Sequence, residues 1–147
     1  AQASWLRLLS ESANRSACKL FFAMAPTLLL AVNGERQEVQ NPDPVTTLAD
    51  FLRGTGKTGV KVACGEGGCG ACTVVVAEWC AETQRPSYRS VNSCLVPLCS
   101  CDGMAVTTAE GLRPCGAQGA AGFHPLQESL AAKNGSQCGY CSPGMVM

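Results

Sequence analysis

The sequence predicts an α+β chain in which a strand-rich domain is followed by a helical segment. Asn33-Gly34 lies between two strand-like runs, and this dipeptide is typical of the type I′ turn of a β-hairpin. The β-branched run 73–77 indicates a buried strand. Residues 111–122 are rich in Gly, Ala and Pro and precede a helical pattern, which indicates a boundary between two parts.

The first part contains the predicted hairpin and one short helix. The hairpin strands are expected at 28–32 and 35–39, and Thr47 is a suitable cap for a helix that carries Leu48 and Leu52 on one face. The other expected elements are strands at 73–77, 88–91 and 105–108, a helix at 123–133 with Pro125 in its first turn, and a further helix from Met145 onward.

These elements divide the chain into four parts. Residues 1–26 form an N-terminal extension that we expect to be disordered, 27–108 form the strand-rich domain, 109–122 a linker and 123–147 the start of a helical domain. The chain begins without an initiator methionine and stops soon after a Cys-Ser-Pro-Gly turn. We therefore expect it to be a truncated fragment of a longer protein.

Composition and charge exclude several classes of protein. Eleven basic residues balance eleven acidic ones, so nucleic acid is not an expected partner. No apolar stretch reaches the length of a membrane span, and the N-terminus lacks the long apolar segment of a secretory signal. We expect a cytoplasmic chain with no membrane partner.

The cysteines carry the strongest functional signal. Three of the eleven, Cys64, Cys69 and Cys72, are separated by four and two residues, and Cys94 follows after a further 21. This C-x4-C-x2-C pattern with a distant fourth cysteine is typical of plant-type ferredoxins, in which four thiolates bind a 2Fe–2S cluster. Four of the six residues between these three cysteines are glycines, which let the backbone N–H groups approach the negative cluster. A zinc-stabilised binding module is the alternative, but zinc sites usually carry two C-x2-C pairs.

Several further motifs give this pattern a more specific meaning. The segment from Cys64 to Val74 resembles the N-terminal iron–sulfur region of the molybdenum hydroxylases, the family of xanthine dehydrogenases and aldehyde oxidases. The other motifs that carry the resemblance are Val32-Asn33-Gly34, Asn92-Ser93-Cys94-Leu95, Val106-Thr107-Thr108, His124-Pro125-Leu126-Gln127 and the segment from Gly135 to Gly144, which contains Cys138 and Cys141.

The resemblance implies a β-grasp plant-type 2Fe–2S ferredoxin domain, followed by the truncated start of an all-helical 2Fe–2S-binding domain. It implies that Cys138 and Cys141 are two ligands of a second cluster, and that Gln137 hydrogen-bonds a molybdopterin cofactor. The family's second cluster also needs a later Cys-x-Cys pair, which is not found after Cys141, so we expect one complete site and one half site. Cys99-x-Cys101 has the spacing of that pair, but it follows Cys94, and we expect its thiols to be packed in the first domain.

The function implied by the resemblance is electron transfer within a molybdenum-dependent oxidoreductase that hydroxylates aldehydes or purines. Electrons would pass from molybdenum through the 2Fe–2S clusters to FAD, with FAD and molybdopterin bound outside this chain. The full-length enzyme is expected to be a homodimer, and the fragment alone, which has no predicted catalytic residue, is not expected to turn over. The alternative is a stand-alone 2Fe–2S electron carrier, or the small subunit of a multi-chain dehydrogenase.

Overall fold

A single mixed sheet organises the first part of the molecule. The computed structural model describes residues 27–112 and 122–147, so the predicted disorder of 1–26 and most of the predicted linker lie outside the described residues. The sheet has the strand order β2-β1-β5-β3-β4. Its strands are β1 (Thr27–Val32), β2 (Glu35–Gln40), β3 (Thr73–Cys80), β4 (Arg85–Asn92) and β5 (Ala105–Thr107).

The predicted hairpin is confirmed. β1 and β2 pair antiparallel with Val32 opposite Glu35, which leaves Asn33 and Gly34 as the two turn residues. Their φ angles are 52° and 86°, and two positive φ values in succession are what a type I′ turn requires. The local chemistry of this dipeptide therefore sets the register of the first two strands.

The core lies between the sheet and a short helix, α1 (Leu48–Gly54). The side chain of Thr47 caps α1 by accepting a hydrogen bond from the N–H of Asp50 at 3.1 Å, as predicted. Leu48 and Leu52 are completely buried, and burial of such a side chain contributes about 1.5–3 kcal/mol. They belong to one apolar cluster that also contains Leu28, Leu30, Val32, Val60, Val74, Val76, Leu98, Val106 and three cysteines, Cys72, Cys94 and Cys101.

The two long strands β3 and β4 extend further than the sequence predicts. They pair from Thr73 opposite Asn92 to Cys80 opposite Arg85, whereas the predicted strands covered only 73–77 and 88–91. β4 is an edge strand with mostly exposed side chains, so it lacks the hydrophobic alternation from which strand ends are predicted. Pairing with β3, a tertiary effect, decides where β4 begins.

The second part contains two short helices, α2 (Pro125–Ala132) and α3 (Ser142–Met145). The ring of His124 caps α2 by accepting from the N–H of Leu126, while the side chain of Gln127 accepts from the N–H of His124. The helix expected from Met145 onward is wrong, because α3 ends at Met145 and has a proline in its first turn, where proline is well tolerated. None of the helices in 27–112 and 122–147 combines the length and apolar character that a bilayer crossing needs.

Candidate metal centre

Strand pairing brings two of the predicted ligands together. Cys72 directly precedes β3, and Cys94 lies in the 3₁₀ turn Ser93–Leu95 directly after β4. Because Thr73 of β3 pairs with Asn92 of β4, the two cysteines lie at the same end of the β3–β4 pair. Both are buried, with 2% and 9% of their surface exposed, so the sheet fixes half of the candidate site.

The four predicted thiols form two pairs. The thiol of Cys64 neighbours that of Cys69, which lowers the pKa of Cys64, and the thiol of Cys94 neighbours that of Cys72, which raises the pKa of Cys94. Cys64 is also close enough to Cys94 to affect its ionisation. The four predicted ligands are therefore neighbours in the fold, although Cys64 and Cys69 are exposed and the other two are not.

Backbone N–H groups of the loop 64–72, here called the first cysteine loop, point at the sulfur atoms. The N–H of Glu66 donates to the Cys64 sulfur at 3.5 Å. This bond, with one from the N–H of Cys69 and the contact with the Cys69 thiol, lowers the pKa of Cys64 from 9.0 to about 7. Burial raises the pKa of Cys94, which the N–H of Gly67 partly offsets. Amide donors of this kind stabilise thiolates and tune cluster potentials.

Three polar side chains outside the loop hold it in place. The amide of Asn92 donates to the Gly67 carbonyl at 2.8 Å, and the hydroxyl of Thr73 lies 2.7 Å from the Gly70 carbonyl. The buried hydroxyl of Ser93 donates to the Cys72 carbonyl at 2.7 Å. Asn92 and Ser93 belong to the motif Asn92-Ser93-Cys94-Leu95, but no role was predicted for them. Their position beside Cys94 was the available signal.

The second predicted pair has a different setting. Cys138 and Cys141 are both exposed, and the predicted cofactor contact Gln137 is exposed beside them. They lie in the loop 136–142, here called the second cysteine loop, whose ends are joined by a 2.6 Å hydrogen bond between Ser136 and Ser142. The thiol of Cys141 also contacts the sulfur of Met145 at 3.7 Å.

The other cysteines that the structure describes are separate from both sites. Cys101 is fully buried in the core, its thiol contacts the Pro97 carbonyl at 3.7 Å, and burial raises its pKa to about 11. Cys99 contacts the Pro42 carbonyl. Both are packed in the first domain as expected, which argues against their completing the second site. Cys18 and Cys115 lie outside the described residues.

The described thiols are all free and fit a two-iron group better than a single ion. No group of three or more His, Cys, Asp or Glu side chains within 27–112 and 122–147 is arranged to hold one metal ion. A 2Fe–2S cluster instead needs four cysteine thiolates shared between two irons, so two adjacent pairs suit it. The paired thiols and the inward N–H groups of the first cysteine loop therefore match this donor set.

Comparisons with known proteins agree with this class of site. Residues 30–99 match a family model described as a 2Fe-2S iron-sulfur cluster binding domain. Residues 108–147 match a second model, described as a [2Fe-2S] binding domain. The fold and the comparisons thus define an iron–sulfur chain with two 2Fe–2S-binding domains in sequence.

The relatives identify the family. The chain is 50% identical over 121 residues to aldehyde oxidase 4 of Cavia porcellus, which is 82% of this chain and 9% of that protein. It is also 50% identical over 121 residues to a xanthine dehydrogenase of Blastobotrys adeninivorans, covering 82% of this chain and 8% of that protein. The chain belongs to the molybdenum hydroxylase family, and it corresponds to the N-terminal iron–sulfur region. It spans about a tenth of the length of these curated relatives.

Solved structures give the same result. An aldehyde oxidoreductase from Desulfovibrio gigas superimposes with a TM-score of 0.64 at 35% identity, over 80% of this chain and 12% of that chain. Quinoline 2-oxidoreductase from Pseudomonas putida 86 also superimposes with a TM-score of 0.64, at 31% identity, over 82% of this chain and 65% of that chain.

Proposed function

We propose that the first cysteine loop and Cys94 bind one 2Fe–2S cluster, held by the thiolates of Cys64, Cys69, Cys72 and Cys94. The observation that carries this proposal is the position of the buried Cys72 and Cys94 at the end of the β3–β4 pair, beside a loop in which the N–H of Glu66 donates to the Cys64 sulfur. When bound, such a cluster supplies a centre that accepts and releases one electron at a time. The residues of this chain hold the thiolates, aim the N–H groups and exclude water from Cys72 and Cys94.

We propose that Cys138 and Cys141 are two ligands of a second cluster, and that Gln137 contacts a molybdopterin cofactor held elsewhere. The match of 108–147 to a [2Fe-2S] binding domain supports this assignment. In finer detail, we propose that 27–108 is a β-grasp ferredoxin domain, 109–122 a linker and 123–147 the first part of an all-helical domain. The first site would be complete within this chain and the second a half site.

The proposed role is electron transfer inside a larger oxidoreductase. Relatives named aldehyde oxidase and xanthine dehydrogenase support a molybdenum-dependent enzyme that hydroxylates aldehydes or purines and passes electrons to FAD. The FAD and molybdenum parts would be bound outside this chain, in a cytoplasmic homodimer with no nucleic-acid or membrane partner. The chain by itself would carry electrons without turning over a substrate.

A second arrangement, in which the chain is a separate small subunit, has one supporting observation. The chain covers 65% of quinoline 2-oxidoreductase, so a comparably short chain carries the equivalent region there. An antibody raised against this chain would distinguish the two arrangements on a denaturing gel of source-cell extract. A large polypeptide would support one continuous enzyme, and a small one would support separate subunits.

Reconstitution of the chain tests the proposed cluster. After anaerobic incubation with iron and sulfide, we expect a red-brown protein with about two irons per chain, because only the first site has four thiolate ligands. One-electron reduction should then produce a rhombic paramagnetic signal. A colourless protein that binds zinc and no sulfide would refute the proposal, and four irons would refute the half site.

A further inference from the structure

The second cysteine loop contacts the residues directly before the first cysteine loop. The hydroxyl of Tyr140 donates to the Val62 carbonyl at 2.7 Å, and the ammonium group of Lys61 donates to the Gly139 carbonyl at 3.4 Å. The same ammonium group lies 5.4 Å from the centre of the Tyr140 ring, within the range of a cation–π interaction. These four residues form what we call the Lys61–Tyr140 contact.

A close backbone approach accompanies this contact. Gly144 of α3 lies against the first cysteine loop so tightly that a Cβ atom there would overlap the carbonyl oxygen of Gly70 and lie 3.3 Å from the Cα of Ala71. The obstructing atoms belong to backbone, so no side-chain rotation could relieve the overlap. Only glycine at position 144 therefore permits this separation between the loops.

Each anchor of the contact lies next to a proposed ligand in the sequence. Val62 is two residues before Cys64, Gly70 directly follows Cys69, and Gly139 and Tyr140 lie between Cys138 and Cys141. The N–H of Lys61 also donates to the Ala71 carbonyl at 3.3 Å, which ties the contact to the residue before Cys72. The contact therefore lies directly beside the first cysteine loop and within the second, and not on remote surfaces of the two parts.

We propose that Tyr140 and Gly144 are positioning residues that seat the second cysteine loop on the first, exclude water from that side of the first cluster and thereby set its reduction potential. This inference rests on the proposed 2Fe–2S cluster at the first site. A reduced cluster carries one more negative charge than an oxidised one, and water stabilises that charge. Because solvent exposure is one determinant of cluster potential, separation of the loops favours the reduced state.

The redox test uses the chain's two tyrosines as a matched pair. Three reconstituted proteins are held at one fixed potential: the wild type, Tyr140→Phe and Tyr88→Phe. The ratio of reduced to oxidised cluster is then read from the paramagnetic signal. We expect the ratio to rise at least threefold in Tyr140→Phe, because only the hydroxyl contact is lost. It should not change in Tyr88→Phe, because Tyr88 lies on exposed β4. Gly144→Ala, a second variant that keeps Tyr140, should shift the ratio in the same direction.

A distance measurement checks the seating independently of the potential. With ¹³C-labelled tyrosine, reduction of the cluster should broaden the ring signals of Tyr140 more than those of Tyr88, which lies about 13 Å along β4 from Asn92. In Gly144→Ala the Tyr140 signals should sharpen towards those of Tyr88.

The outcomes separate this inference from the proposed function. A cluster that forms normally, with equal broadening of both tyrosines and an unchanged ratio in Tyr140→Phe and Gly144→Ala, would overturn the inference and leave the proposed cluster intact. An equal rise of the ratio in Tyr88→Phe would also overturn it. Failure of wild-type protein to form any cluster would refute the proposed function together with the inference.

Discussion

The first and second cysteine loops differ in what holds them. The first is anchored by the end of the β3–β4 ladder, by the buried side chains of Cys72 and Cys94 and by hydrogen bonds from Asn92 and Ser93. The second has exposed cysteines between two short helices, neither of which has a fully buried residue. Its conformation depends on the hydrogen bond between Ser136 and Ser142 and on the Lys61–Tyr140 contact.

This difference shows two ways to place metal ligands. Where ligands lie at the ends of paired strands, the core that stabilises the fold also fixes the sulfur atoms. Where the ligands lie on a short segment with little burial, contacts with a neighbouring surface must fix the conformation of that segment, because isolated short helices are marginal in water. We therefore expect substitutions in the first loop to act on the cluster directly, and substitutions in the second to act through the contact.

The largest expected effect comes from removal of one thiolate at each loop. Cys72→Ser should abolish the paramagnetic signal of the reduced, reconstituted chain almost completely, because the first cluster loses one of its four ligands. Cys138→Ser should retain that signal, because its thiol belongs to the other loop. The measurement is signal intensity per chain together with the iron content.

Cys80→Ser is the matched control for these two variants. Cys80 ends β3 and is partly exposed, and it is not one of the paired thiols, so its loss should leave the signal unchanged. Loss of the signal in Cys138→Ser would mean that the two loops share a cluster, and the comparison between them would fail.

A smaller effect is expected from an added methyl group within the first loop. Gly67 has a φ of +79°, and a Cβ there would overlap the side chain of Leu95. The positive φ alone costs a non-glycine residue about 1–2 kcal/mol. Gly67→Ala should therefore hasten loss of the cluster's visible absorbance on warming, while the signal at low temperature is kept.

Gly68→Ala provides the comparison at the next residue. Its φ is not in the left-handed region, and a Cβ there would meet no atom within 4 Å. The cluster of this variant should be as durable as that of the wild type. Equal lability of the two variants would show that the loop is sensitive to any substitution and not to the close approach at Gly67.

The smallest expected effect is a change in thermal stability with pH, and it concerns Glu110 at the start of the predicted linker. Partial burial raises the pKa of Glu110, but hydrogen bonds from the Thr108 hydroxyl and the Gly59 N–H outweigh it and hold the pKa below its ordinary value of 4.5. A carboxyl whose pKa is lowered by folding stabilises the fold fully above its ordinary pKa, and this contribution is lost as the pH falls through the lowered value. The thermal midpoint should therefore fall by at most a few degrees on acidification through this range.

Glu110→Gln is the variant that isolates this contribution. It keeps the shape of the side chain but does not titrate, so the part of the acid-induced fall that belongs to residue 110 should disappear. Identical pH profiles for the variant and the wild type, measured by circular dichroism, would show that Glu110 does not stabilise the start of the predicted linker.

Local chemistry accounts for the parts of the fold that were predicted correctly. The Asn33-Gly34 turn, the Thr47 cap and Pro125 in the first turn of α2 each depend on side chains and φ preferences within a few residues of one another. The start of β4 at Arg85 and the end of α3 at Met145 were missed. The first depends on pairing with β3 and the second on a single short turn, and neither leaves a periodic pattern in the sequence.

The sequence by itself determined the proposed donor set: the spacing of Cys64, Cys69 and Cys72 with a distant Cys94, and the glycine-rich loop between the first three. Covalent spacing and backbone freedom are local properties, so they can be read directly from the residues. Only the tertiary structure decided that the four thiols form two neighbouring pairs and that the Asn92 side chain hydrogen-bonds the first cysteine loop. It alone showed that Tyr140 meets Val62 and that Gly144 meets the first loop, each from 70 or more residues away. Contacts between distant segments depend on how the sheet and helices pack, and no local pattern encodes that packing.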